Sequence, residues 1–316
     1  MNGNGYTRNG DIREIAGLFT SNKKSMNNAL VVGINGTIGS ALFTALAGTH
    51  VTAWGTTRRA AEPGKQTIFY LNLMDEPASW VLPDVHFDVV YLCAGICKMA
   101  DCENDPATAY KINVDGMSSL AHYFSLQGSF IVYLSTNQVF SGQTPHTLPE
   151  EAYGPQNEYG RQKAQAEQSI KAACPSSAIV RLTKVVEPNM ALVKNWIHQL
   201  EQHQPIEAFQ DMMLAPVTLK QVIDVLISVG QKKQGGYYHV SGAQDVSYYD
   251  VAAYLVSYLN QPASLAQAVT ASEKGINPHF LPRFTTLDCT STITLTDYKP
   301  MYFSEVLHEC FDNLRK

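Results

Sequence analysis

The sequence predicts an α/β fold: a doubly wound parallel sheet with a smaller C-terminal α/β cap. Three observations predict it. From residue 29 onward, short apolar runs alternate with helical patterns, as in βαβ units. Runs such as VVYLCAG and FIVYLS are apolar without polar alternation, as strands buried on both faces are. A glycine-rich loop, residues 33–39, separates the first apolar run from the first helical pattern.

The elements follow in order. Residues 29–34 form the first strand, and 37–47 have helical spacing. Residues 51–54, 68–73 and 87–94 give three more strands. A long helix lies within 106–126, and a strand follows at 129–134. Residues 158–173 are helical and 178–182 form a strand. The last third is less regular. Residues 188–203 and 217–229 read as helices, and a Gly-Gly pair precedes a short strand at 237–240. Ser247 caps a helix over 248–259, and a final helix starts near Ser304. Residues 1–28 are rich in Asn, Gly, Ser and Lys and read as a flexible extension; a docking helix presenting Ile12, Ile15, Ala16 and Phe19 is the alternative. The folded core is expected to begin at Met26. The division is a dinucleotide-binding domain over 29–182 and a region over 183–316 that is mainly cap. Within the latter, about 217–240 return to the first domain.

Composition narrows the function. Of 316 residues, 45% are hydrophobic and 16% charged, which suits a folded core rather than a disordered chain. The net charge of −5 offers no basic excess for a phosphate backbone, so nucleic acid is not an expected partner. No apolar run reaches a membrane-spanning length and no secretory leader is visible, so no membrane is expected. Six cysteines are too sparse for a disulfide scaffold, which points to a reducing, cytoplasmic setting. Cys93, Cys97 and Cys102 lack paired metal-knuckle spacing and read as structural thiols, so no metal is expected. His198 and His203, five apart, read as surface residues, Tyr237-Tyr238-His239 as a buried strand, and Arg283 as a surface arginine or a phosphate contact.

The loop Gly33-Ile34-Asn35-Gly36-Thr37-Ile38-Gly39 is a G-x-x-G-x-x-G sequence. Between a strand and a helix it predicts a dinucleotide site, with the pyrophosphate on free helix N–H groups. After the second strand comes Thr57-Arg58-Arg59, with no acid for a ribose hydroxyl. Two guanidiniums suit a 2′-phosphate, so NADPH is expected over NADH. Asn72-Leu73, read as the end of the third strand, is a candidate for the adenine edge. Ala94-Gly95 permits close approach of a cofactor. In Tyr159-Gly160-Arg161-Gln162-Lys163 the Tyr and Lys share a helical face. A nearby ammonium lowers a phenol's pKa and makes it a usable proton donor. Thr136, after the fifth strand, is a candidate to bond a substrate carbonyl, with Ser135 competing.

Together these motifs resemble the extended short-chain dehydrogenase/reductases, and within them the dTDP-4-dehydrorhamnose reductases. Four segments carry the resemblance: CENDPATAYKINVDG, LSTNQVFSG, YGRQKAQAEQ and GGYYHVSGAQDVSYYDVA. It spans about residues 29–255. It implies a Rossmann-type domain with a cap over a nucleotide-linked sugar, and catalytic roles for Thr136, Tyr159 and Lys163. It places Asn113 behind the site, where it would support Lys163 through water. Ser135, Gln138, Val139, Phe140 and Lys184 are the implied substrate contacts, and Arg181 opens a segment lining the site. Two departures bear on the sugar: Asn137-Gln138 where the reductases have Asp-Tyr, and Lys184 where they often have an aromatic residue.

The leading expectation is NADPH-dependent reduction of a keto group on a nucleotide-activated deoxysugar, by an enzyme that is a candidate homodimer. Dehydratases of the superfamily carry Asp-Glu after the Thr; the amides Asn137 and Gln138 do not titrate and cannot replace them. An NAD-dependent epimerase is one alternative, and a non-catalytic dinucleotide-binding regulatory subunit is another.

Overall fold

The structure is a computed structural model that describes residues 26–59, 66–187, 190–276 and 281–311. The apolar runs supply the main strands: β1 (Asn28–Val32), β2 (Thr52–Thr57), β3 (Ile68–Tyr70), β4 (Val89–Leu92), β5 (Phe130–Thr136) and β6 (Ala178–Leu182). Late in the chain, β11 (Gly236–Val240) joins them beside β6. The seven strands are all parallel, in the order β11-β6-β5-β4-β1-β2-β3. The order reverses at β1, which lies between β4 and β2, and such a reversal opens a crevice at the strands' carboxyl ends.

Side chains of each strand alternate between two apolar layers. Ala29 and Val31 pack with α1 (Thr37–Ala47) and α7 (Leu219–Lys232) through Leu42, Leu46 and Leu226. Leu30 and Val32 face the other way, toward Leu120 and Phe124 of α4 (Met117–Leu126) and Ala166 and Ile170 of α5 (Glu158–Ala173). Burial on both faces explains why these strands lack polar alternation.

Several boundaries differ from expectation, each for a local reason. β1 opens at Asn28, and Met26, the expected start of the core, is buried against Tyr91, so the expected extension over 1–28 does not reach residue 28; its residues 1–25 lie outside the described residues. The third strand ends at Tyr70, because Asn72 turns the chain by accepting from the Met74 N–H. Residues 106–126 are one continuous run with three parts. Pro106–Tyr110 (α3) is capped by Asp105, Lys111–Gly116 is π-helical, and α4 follows. Val217 and Thr218 belong to a short strand, β10 (Pro216–Thr218), and the helix starts at Leu219 under a Thr218/Gln221 capping box. Ser247 caps α8 (Tyr248–Tyr258) as expected, through a box with Asp250.

A third apolar cluster gathers Trp196 and Leu200 of α6 (Ala191–Glu201), Leu255 of α8, and Leu307 and Phe311 of α10 (Phe303–Phe311). Small strand pairs lie beside it: β7 (Lys184–Val186) with β10, β8 (Ile206–Phe209) with β13 (Ala266–Val269), and β9 (Met213–Leu214) with β12 (Val246–Ser247). The short α2 (Met99–Asn104) packs near α5, and α9 (Thr290–Leu295) packs on β11. No described helix is long and apolar enough to cross a membrane.

Candidate active site

The glycine loop leaves β1 at the reversal of strand order. Gly33 has φ +94, and a Cβ on Gly39 would sit 2.2 Å from the Gly33 carbonyl oxygen, so this tight loop requires glycine at both. At Gly36 a Cβ would meet nothing nearer than 3.7 Å. Gly36 is the N-cap of α1; no side chain caps that end and the first turn holds no acid. The free N–H groups and the helix dipole therefore suit an anion, and the open space beside Gly36 suits a pyrophosphate. Two hydroxyls fix the loop to β2. Thr56 Oγ1 accepts from the Gly33 N–H (3.0 Å), and Thr57 Oγ1 donates to Asn35 Oδ1 (2.7 Å).

Arg58 and Arg59 are exposed where β2 ends, and with Asn35, Tyr70, Asn72 and Met74 they line a hollow. The hollow has no acidic residue in its lining, as a phosphate subsite requires. Tyr70 is a lining residue that the sequence reading missed; its signal is the register of β3, which sets it beside Thr57. Asn72 reaches this region with its amide already committed: Nδ2 donates to Asp75 (2.9 Å) and Oδ1 accepts from Met74.

From the loop a cleft of about 480 Å³ runs across the ends of β1, β4, β5 and β6. It brings together Gly33, Asn35, Gly36, Thr37, Ile38, Gly39 and Arg58 with Asn72, Leu73, Ala94, Gly95, Ser135, Thr136, Tyr159 and Lys163. A volume of this size suits a small-molecule site.

The catalytic candidates converge through α5. Asn157 caps the helix by accepting from the Gly160 N–H (2.8 Å) and donates through Nδ2 to Gln138 Oε1 (2.9 Å). A Cβ on Gly160 would lie 2.2 Å from the Gln138 carbonyl oxygen, so only glycine lets α5 approach the Thr136 turn this closely. Thr136 is buried, and its Oγ1 accepts from the Gln138 N–H. Burial holds the Tyr159 phenol above its ordinary pKa, while a hydrogen bond with Thr136 works against this. Lys163 is buried; its ammonium donates to the Leu134 carbonyl and sits 4.1 Å from the centre of the Tyr133 ring. Burial pushes Lys163 down to about 8, and Glu167 pulls it up. The expected lowering of the Tyr159 phenol by Lys163 is therefore not what this arrangement gives. The ammonium is turned to the β5 backbone, and desolvation dominates the phenol.

Asn113, in the π-helical turn, also lines the cleft. It clamps the loop after β4: Oδ1 accepts from the Ile96 N–H (2.8 Å), and Nδ2 donates to Ile96 O (3.0 Å) and Gln162 Oε1 (2.9 Å). The extra residue of a π turn, a frequent feature of functional sites, was invisible to helical periodicity. Val139 and Phe140 are buried and pack with Ala164 and Leu287 rather than line the cleft. Gln138 is tied to Asn157 and is also absent from the cleft lining. Lys184 is exposed in β7, outside that lining. Arg181 is itself an internal residue of β6, paired with Glu167 beneath α5, and the segment it opens lines the cleft through Leu182, Thr183 and Val185. Cys97, read as structural, is exposed and lines the cleft beside Ile96. Arg283 is exposed and stacks on Phe284.

Comparison with known proteins places this geometry. A sequence model of the family described as RmlD substrate binding domain matches residues 26–316. The chain is 25% identical over 279 residues to methionine adenosyltransferase 2 subunit beta of Pongo abelii, covering 84% of this chain and 81% of that protein. It is 24% identical over 183 residues to a dTDP-4-dehydrorhamnose reductase of Sinorhizobium fredii, covering 55% of this chain and 62% of the reductase. In fold it is similar to the crystal structure of dTDP-4-dehydrorhamnose reductase from Bacillus anthracis in complex with NADP. That likeness has a TM-score of 0.77 at 20% identity, over 91% of this chain and 98% of the other.

Proposed function

Because the chain belongs to the RmlD substrate binding domain family, we propose that it is an NADPH-dependent reductase of a keto group on a nucleotide-activated deoxysugar. The observation that carries this reading is the convergence of Thr136, Tyr159 and Lys163 in one cleft with the glycine loop. A nicotinamide dinucleotide fits the residues present: the uncapped start of α1 for the pyrophosphate, and Arg58 and Arg59 for a 2′-phosphate. When bound, it supplies the hydride that goes to the carbonyl carbon. Thr136 orients the carbonyl oxygen by donating to it, where charge grows in the transition state. Tyr159 gives its phenolic proton to the developing alkoxide, and solvent restores it. Lys163, one turn along the same helix, binds the nicotinamide ribose. The region around α6, α8 and α10 is the cap over the sugar. The phenol held up by burial stays protonated at neutral pH, as a proton donor must.

A second reading is a dinucleotide-binding subunit of a larger enzyme. The likeness to a protein named as a subunit of methionine adenosyltransferase favours it. Calorimetry with NADPH and NADH, followed by NADPH oxidation with a panel of 4-keto sugar nucleotides, separates the two. Tighter NADPH binding with substrate-dependent oxidation is expected; tight binding with no oxidation across the panel overturns the reductase reading in favour of the second.

A further inference from the structure

Two side-chain amides face the hollow that holds Arg58 and Arg59: those of Asn35 and Asn72. Asn72 is committed to its own turn, with Nδ2 donating to Asp75 (2.9 Å) and Oδ1 accepting from the Met74 N–H. Asn35 differs. It is exposed in the glycine loop, between Gly33 and Gly36, and it lines both the hollow and the cleft. Among the described residues its amide makes one hydrogen bond, in which Oδ1 accepts from the Thr57 hydroxyl (2.7 Å).

The direction of that bond follows from the partner beyond it. The Arg59 backbone N–H, which can only donate, points at Thr57 Oγ1 (3.0 Å). Thr57 Oγ1 accepts there, and its single proton goes to Asn35. A flipped Asn35 amide would leave that proton without an acceptor among the described residues, and Thr57 is buried, where an unmet donor is costly. Thr57 therefore holds Asn35 by its oxygen and leaves both N–H groups of Nδ2 to donate to a ligand. The hollow beside them has two guanidiniums and no acid in its lining, so the ligand group these donors suit is an anion.

We propose that Asn35 is a specificity residue for the cofactor: its Nδ2 donates to the 2′-phosphate that Arg58 and Arg59 bind, and Thr57 is the positioning residue that turns the amide for this. The proposal rests on the 2′-phosphate role given above to the two arginines. A dinucleotide without that phosphate offers a ribose hydroxyl there, which an acidic side chain serves and a third donor does not. Asn35 thus adds to the preference for NADPH and takes no part in the chemistry at Tyr159. A contact between Asn35 and the pyrophosphate would act on NADPH and NADH alike, because both carry it, so the ratio of the two affinities isolates the 2′-phosphate.

Calorimetry with NADPH and NADH on the full chain compares wild type with Asn35→Ala, Asn35→Asp, Thr57→Val and Asn35→Ala/Thr57→Val. Asn35→Ala is expected to weaken NADPH about tenfold, as the loss of one hydrogen bond to a charged group does, and NADH by less than about twofold. Asn35→Asp keeps an acceptor for Thr57 but sets an anion against the phosphate, so NADPH weakens by about 100-fold while NADH binding holds. Thr57→Val lowers the NADPH/NADH ratio by itself and lowers it no further in the Asn35→Ala background, because it acts through Asn35; a full further drop there removes the positioning role of Thr57. A ratio unchanged in Asn35→Ala and Asn35→Asp, whether the two affinities hold or fall together, overturns the inference alone when Arg58→Ala/Arg59→Ala still lowers that ratio. If the arginine variant also leaves the ratio in place, the 2′-phosphate reading of the hollow falls and this inference falls with it.

Discussion

Replacing Arg181 by Met is expected to destabilise the protein by about 3–5 kcal/mol at pH 8. The side chain lost is among the largest fully buried ones, and four of its hydrogen bonds go with it: three to Glu167 and one to Pro149 O. Met fills much of the space between the Phe140 and Tyr237 rings, so packing is a minor part of the loss. The major part is Glu167, left buried with only the Tyr153 hydroxyl. Breaking one side of a buried ion pair in this way costs ~3–5 kcal/mol. Urea unfolding of both proteins at pH 8 measures the difference, and a loss below ~1 kcal/mol refutes the argument.

Three further outcomes are expected. Replacing Arg58 and Arg59 together by Ala should weaken NADPH by about 3–6 kcal/mol and NADH much less, since each guanidinium loses a charge-assisted contact worth ~1.5–3 kcal/mol; equal losses by calorimetry remove their phosphate role. Gly160→Ala should lower the melting temperature and turnover together, because its Cβ meets the Gln138 carbonyl and pushes α5 from Thr136, an overpacking worth ~1–3 kcal/mol. His239 is pushed down to about 3, by burial first and then by Arg181, so it folds neutral while the unfolded imidazole titrates near 6.5. Stability is whole above pH 6.5 and is lost as pH falls toward 3, at up to ~1.4 kcal/mol per unit; His239→Gln should flatten that slope in acid unfolding, and an unchanged slope contradicts the assignment.

Local signals in the sequence were strong where an element is long and one-sided. The bounds of α1, α5 and β6 were readable to the residue, since each combines periodicity with a clear start or stop. The glycine loop and the arginine pair were readable from their places after strands, and Tyr159 and Lys163 from their shared helix face; the choice of Thr136 over Ser135 came from the family resemblance. What escaped depends on partners distant in sequence. The strands β7, β8, β9, β12 and β13 span two to four residues each and exist only through their pairing. Val139 and Phe140 follow Thr136 in sequence but point into the core, since the short helical turn 137–139 swings the chain away from the cleft. Arg181 looked like a site residue because nothing local announces that Glu167 waits above it. The one available hint was an acid eight residues past Tyr159, on the apolar face of α5. The start of α7 was also legible, in the Thr218-x-x-Gln221 box.

The most direct test of the reductase is substrate-dependent oxidation of NADPH by wild type and Tyr159→Phe, measured with the same 4-keto sugar nucleotides. The phenyl ring keeps the shape of the site and removes only the proton donor. Wild type is expected to turn over, and Tyr159→Phe to lose about 10²–10⁴-fold in rate with NADPH affinity nearly unchanged. Turnover that survives in Tyr159→Phe at the wild-type rate would contradict the assignment of Tyr159 as the acid, and with it the chemistry built on this cleft.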